Sequence, residues 1–268
     1  MIATRRSRLT MRVVALAYVI LLLLVPIGVI LWRTFGAGIG AFLSSVSTPA
    51  AISALNLSLL IVAIVVPVNV VFGVTVALAL VRGRFPGRGV LQAVVDLPFA
   101  LSPIVVGVSL ILLWGVNGWF GGLDRMGFQV IFSLPGMVIA TIFVTLPFVV
   151  REVEPVLHEI GDEQEQAAAT LGANGWQTFW RITLPAIRWG LTYGVVLTIA
   201  RSLGEFGAVI MVSSGFPGIS QTLTLLVHAR YTDDHNTFGA YAAATLLMGV
   251  ALVTLLFMTV LDRLRRTR

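Results

Sequence analysis

The 268-residue sequence has no cysteine, which excludes disulfides, thiolate metal ligands and cysteine nucleophiles. It has no lysine either: all 18 basic residues are arginine. That absence excludes a Walker A phosphate loop and a lysine Schiff base. Charge of both signs is scarce, at 11% of residues, where a soluble domain carries about 25%. With 57% of residues hydrophobic, the chain cannot cover itself with a water-compatible surface and reads as a membrane protein. His158, His228 and His235 lack metal spacing, and no H-E-x-x-H occurs. No paired carboxylates or Ser/His arrangement supports an intramembrane enzyme.

A bilayer-crossing helix needs about 20 apolar residues. Six stretches qualify: Val13–Trp32, Ala54–Val81, Val90–Trp114, Val130–Val150, Trp189–Val212 and Gly239–Leu261. Pro67 and Asn69 predict a kink in the second. The first exceeds the 7–15 residues or so of a signal-peptide core and no A-x-A site follows, so it reads as a retained span. With no linker and no repeat, residues 1–268 form one polytopic, all-α transmembrane domain.

The net charge of +6 is an orientation signal. Arg5, Arg6, Arg8, Arg12, Arg82, Arg84, Arg88, Arg151, Arg181, Arg188, Arg263, Arg265, Arg266 and Arg268 fall on one side; Arg33, Arg125 and Arg230 fall on the other. The positive-inside rule places both termini in the cytoplasm, and nucleic acid is not an expected partner.

The densest polar segment, EQEQAAATLGANGWQTFWRITLP, lies in the longest cytoplasmic connection, 152–187. Asp162 to Ala169 has good helix formers with acids early. Gly172 and Gly175 permit a turn around Ala173-Asn174. Trp176 to Ile182 reads as a second short helix, and Pro185 as a break before the fifth span. Two readings fit: an amphipathic helix lying on the headgroups, or a knob projecting toward a soluble partner.

This segment resembles the cytoplasmic signature of binding-protein-dependent ABC importer permeases: E-A-A, three residues, Gly, nine residues, Ile, one residue, Leu-Pro. Here it reads Gln166-Ala167-Ala168, Gly172, Ile182, Leu184-Pro185, with Glu165 adjacent. Every spacing holds; the departure is Gln166 in place of Glu. The resemblance implies a type I importer permease fold, with this loop as the coupling helix that fits a groove on an ATPase. A chain without a P-loop lysine then needs such a partner, and ATP and Mg would bind there.

Inside the fifth span, Arg201 and Glu205 are four residues apart and share a helical face. Charges at that depth are costly and often mark transport routes. They read either as a packing ion pair or as a pathway or gate. Gly190, Gly194, Gly204 and Gly207 would let other helices approach. Asp96 reads as a helix-start residue near Pro98 and Pro103. Ser102, Asn69 and Thr145 read as interhelical packing groups.

The stretches ARSLGEFGA, DLPFALSPIVVG, VPVNVVFG and IFVTLPFVVRE closely resemble the sulfate/thiosulfate importer permeases of W type. That likeness implies a heterodimer with a T-type permease in a bacterial inner membrane, two ATP-binding subunits and an external sulfate-binding protein. Molybdate permeases share the Gly-Glu-Phe-Gly pattern, so another oxyanion stays open, as does a stand-alone secondary transporter. In the external loop Ser213–Phe238, an amphipathic piece, Leu223 to Arg230, is expected to meet the binding protein.

Overall fold

The computed structural model describes residues 5–266, so Arg268 and residues 1–4 lie outside it. Among the described residues the secondary structure is helical, with no strand. A rod comes first, made of α1 (Arg5–Val19), a π turn (Ile20–Leu24) and α2 (Val25–Phe35). Next come α3 (Ile39–Val46), α4 (Pro49–Arg82), α5 (Arg88–Ala100), α6 (Pro103–Trp114) and the single turn α7 (Gly122–Arg125). After them run α8 (Leu134–Ile160), α9 (Glu163–Thr170) and α10 (Gly175–Thr178), which passes through a second π turn (Phe179–Thr183) into α11 (Leu184–Leu203). The chain ends with α12 (Gly207–Val212), α13 (Leu223–Thr232) and α14 (Thr237–Arg266). Five of these stretches are long and apolar enough to cross a membrane, and the α5–α6 pair makes up to six.

That third crossing is not the straight span expected from Val90–Trp114: α5 and α6 meet at 113°. Ser102 precedes Pro103, and a residue before proline is driven out of the helical region. Leu101 and Ser102 are accordingly extended, at ψ 140° and 134°. The second span runs unbroken through Pro67. Beside it, buried Asn69 donates from Nδ2 to Thr145 Oγ1 on α8 at 2.7 Å. These two residues bind helix to helix, as expected.

α4, α8 and α11 pack on one another as the centre of the bundle. Toward one end, Ile61, Val65, Val106, Met137 and Val209 form one core cluster. Toward the other, Val74, Leu80, Val95, Val153, Leu157 and Ile187 form a second. Gly190 and Gly194 make the α8–α11 approach possible: an added Cβ would lie 2.5 Å from Glu152 O and 2.9 Å from Val149 Cα. Gly204 has no such neighbour on another helix; it ends α11. The α1–α2 rod has no buried residue in its most apolar window, and its α2 lies against α14. It is joined near its end by the Thr34–Thr245 hydroxyl contact at 2.9 Å.

Candidate functional site: a braced lever and a broken helix

The polar connection is shorter than 152–187, because α8 continues to Ile160 and α11 begins at Leu184. α9 carries Glu163 and Glu165 in its first turn, where they complement the helix dipole. It closes with Ala173 N–H donating to Ala168 O at 3.0 Å while Gly172 adopts φ +85°, a left-handed position suited to glycine. Asn174 then opens α10 through a capping box: its Oδ1 accepts Gln177 N–H at 2.9 Å, and Gln177 Oε1 accepts Asn174 N–H at 3.1 Å.

Pro185 does not break the chain as expected. Helix continues from Gly175 to Leu203, and the π turn explains how. Proline cannot donate to the carbonyl a turn behind it and crowds that carbonyl; the wider turn just before Pro185 makes room for it. α10 is thereby continuous with α11.

A second connection holds α9 to the bundle. Arg82, the last residue of α4, donates from Nε to Glu165 Oε2 at 3.0 Å. It also donates from Nη1 to Leu157 O at 3.2 Å, and from Nη2 to Gly161 O. Thr183, in the π turn, donates to Glu165 Oε1 at 2.8 Å. Glu165 thus ties α9 to the ends of α4 and α11 at once. Its side chain is 20% exposed, so its acceptors are turned to the protein.

The other motif residues divide by face. Gln166, Ala167, Gly172 and Pro185 are exposed, while Ala168, Ile182 and Leu184 are half-buried. Leu171 at the tip is 89% exposed. Trp176, Phe179 and Trp180 pack edge to edge or stacked, with centroids 5.5–6.3 Å apart. They form one wall of a groove of about 580 Å³ against Val70, Val74 and Leu78 of α4.

The second expected feature lies on α11 about 27 Å from Thr183, at 1.5 Å per residue. α11 ends at Leu203, so the fifth span is broken within the predicted Trp189–Val212 and resumes as α12. Glu205 sits in the break and is 2% exposed. Its Oε1 accepts Ala208 N–H at 2.8 Å, capping α12, and Thr224 Oγ1 donates to its backbone oxygen at 2.8 Å. Arg201 Nη1 lies 2.7 Å from Oε2 as an ion pair. A small, partly enclosed cavity of about 10 Å³ adjoins this break, lined by Ser58, Thr141, Ser202, Glu205 and Thr222. Ser202 Oγ is buried there without a partner.

Asp96 is in the body of α5 rather than at a helix start. Its Oδ1 accepts from Arg151 Nη2 at 2.8 Å, and the guanidinium lies 4.5 Å from the Phe99 ring centroid. Together these fasten α5 to α8. Sequence reasoning missed Arg82 and Thr183 as partners of Glu165. Arg82 is 83 residues from Glu165 and carried only a topological meaning; no local spacing links the pair. Among the described residues no group of His, Asp and Glu could hold a metal. The piece Leu223 to Arg230 belongs to α13, whose Leu223, Leu225 and Leu226 are buried, so it is not a free surface helix.

Comparison with known proteins fits this geometry. Residues 69–267 match the family described as binding-protein-dependent transport system inner membrane component. The chain is 48% identical over 250 residues to the sulfate transport system permease protein CysW of Synechococcus elongatus, covering 93% of this chain and 87% of that one. It is 46% identical to the CysW of Escherichia coli K12, with 90% and 83% covered. It is 36% identical to the CysT sulfate permease of Synechocystis, with 94% and 88% covered. A bacterial alginate ABC transporter, solved with an alginate-bound periplasmic protein, superposes with TM-score 0.80 at 19% identity over 95% of this chain and 93% of that one.

Proposed function

The chain belongs to the binding-protein-dependent transport system inner membrane components, and on that premise we propose that it is the W-type permease subunit of an ATP-driven sulfate importer. It lines half of a translocation pathway and performs no chemistry of its own. A related T-type permease is its partner in the membrane, two ATPase subunits bind ATP and Mg, and an external binding protein delivers the anion. Both termini face the cytoplasm, on the side of the lever.

The observation that carries this reading is the doubly anchored lever. A segment lying loosely on lipid would not need Arg82, Glu165 and Thr183, nor a helix continuous through Pro185 into the bundle. Braced in this way, a displacement of α9 moves the ends of α4 and α11 together. ATP-driven closure of the partner ATPases supplies the differential contacts between two states that any such switch requires. Exposed Gln166, Ala167 and Leu171 form the surface offered to the ATPase. The break at Gly204–Phe206, with Arg201 and Glu205, is where the far half of α11 can turn relative to α12.

Two measurements test the reading. Purification with the ATPase should fail for Gly172→Asp and Ala168→Glu while the spans remain inserted; undiminished co-purification of both variants overturns the docking assignment. Uptake of labelled sulfate, in cells lacking their own importer, should be competed by thiosulfate more than by molybdate. The reverse order reassigns the anion.

A further inference from the structure

At the end of the bundle opposite the lever, the structure forms a socket. α4 is 34 residues long, so its Thr48 end and its Arg82 end are about 50 Å apart. A cavity of about 450 Å³ opens at the Thr48 end, lined by Pro217, Gln221, Arg230, Asp233 and Asp234 as well as Thr48. We propose that this cavity receives a basic side chain, lysine or arginine, presented by the extracytoplasmic binding protein. The proposal rests on the importer reading above and names the contact through which that partner docks.

The charge balance points to a cation. Arg230 lines the cavity, but its guanidinium is committed elsewhere. Nη1 donates to Ser45 Oγ at 3.3 Å and to Gly239 O at 3.0 Å. Nη2 donates to Ser45 O at 3.1 Å and to Thr48 Oγ1 at 2.9 Å. Asp233 and Asp234 are exposed, and among the described residues neither has an ion-pair partner within 4.0 Å. Asp233 Oδ1 accepts a hydrogen bond only from the neighbouring Thr232 hydroxyl, at 3.1 Å. Asp234 and the Arg230 guanidinium attract one another, which leaves Asp233 as the carboxylate without a cation and the cavity with net negative charge.

A separate observation comes from Gln221, which is 4% exposed and whose Oε1 is buried without a partner. An unsatisfied buried acceptor is costly, and an arriving donor would relieve that cost. The surroundings are fixed in advance. Asp233 N–H and Asp234 N–H both donate to Ala229 O, at 2.9 and 3.0 Å, and Asn236 N–H donates to Arg230 O at 2.8 Å. His235 is held at φ +53° in that turn. A preformed loop loses little freedom on binding. Phe216, Ile219 and Tyr231 stand exposed on the same end of the molecule, an apolar and aromatic rim of the kind that anchors protein interfaces.

The experiment uses the whole importer in lipid nanodiscs and measures binding of the sulfate-loaded binding protein. Asp233→Asn with Asp234→Asn should weaken binding about tenfold or more and flatten its salt dependence, as loss of complementary charge does. ATP hydrolysis without the binding protein should be unchanged. A binding-protein variant with its basic contact residue reversed to glutamate should bind better to Asp234→Lys importer than to wild type. Because both aspartates are exposed, their exchange should not disturb assembly; Gln221→Ala, which removes the buried acceptor, gives an independent arm with weaker binding. Binding of the double variant within twofold of wild type overturns the socket alone. Stabilisation of wild type, but not of the double variant, by millimolar calcium with unchanged protein binding overturns it in favour of a divalent cation site. Failure of the wild-type importer to bind any sulfate-loaded partner overturns the importer reading and the socket together.

Discussion

Replacing Glu165 by alanine should disconnect the lever while leaving the bundle folded. The side chain accepts two charge-supported hydrogen bonds, 3.0 Å from Arg82 and 2.8 Å from Thr183. Hydrogen bonds to charged groups contribute about 1.5–3 kcal/mol each when buried. The pair here is partly open to solvent, with 23% and 20% of the side chains exposed, and exposed ion pairs are worth much less. Discounted in that way, the loss is about 2–3 kcal/mol. At about 1.4 kcal/mol per tenfold, the equilibrium between braced and unbraced lever shifts by roughly 30- to 140-fold. The second core cluster, from Val74 through Leu157 to Ile187, is untouched, so insertion and yield should hold. In a reconstituted importer, ATP hydrolysis should persist while sulfate transported per ATP falls about tenfold. Arg82→Lys should fall similarly, because one ammonium cannot replace a fork that reaches Glu165, Leu157 O and Gly161 O. Transport per ATP within twofold of wild type for Glu165→Ala would refute the brace.

Four further outcomes follow from the geometry. Gly194→Val should destabilise the bundle by about 1–3 kcal/mol or more, read as a lower melting temperature in detergent, because a Cβ there meets Val149 Cα at 2.9 Å. Arg201→Gln and Glu205→Gln should each reduce uptake more than expression; equal losses of both would assign the pair to packing alone. Asp96→Asn should change stability by less than about 1 kcal/mol, since Arg151 and Asp96 are 55% and 35% exposed. A density map fine enough to show solvent should contain one water in the cavity beside Ser202 and Glu205: about 10 Å³ is close to the minimum for one molecule. Ser202→Val should remove it.

Much of this protein could be read without coordinates, because the strongest signals are local. Hydrophobic runs long enough for a bilayer, arginines gathered on one side and the fixed spacings from Gln166 to Pro185 are properties of adjacent residues. They pointed to the all-α membrane class, the crossings and a short helical connection between the fourth and fifth spans. What depends on distant residues was not legible there. Ser102–Pro103 carried the local conditions for a break, but not the 113° angle at which α5 and α6 meet. Pro185 looked like a terminator because proline alone cannot continue a helix; a π turn just before it let the helix pass. Glu165 found Arg82 across 83 residues of sequence, and Arg230 found Ser45 across 185. Bilayer physics acts on each segment separately, so sequence determined which segments cross. Charge partners are chosen by which helix ends meet, and only the tertiary fold brings those ends together.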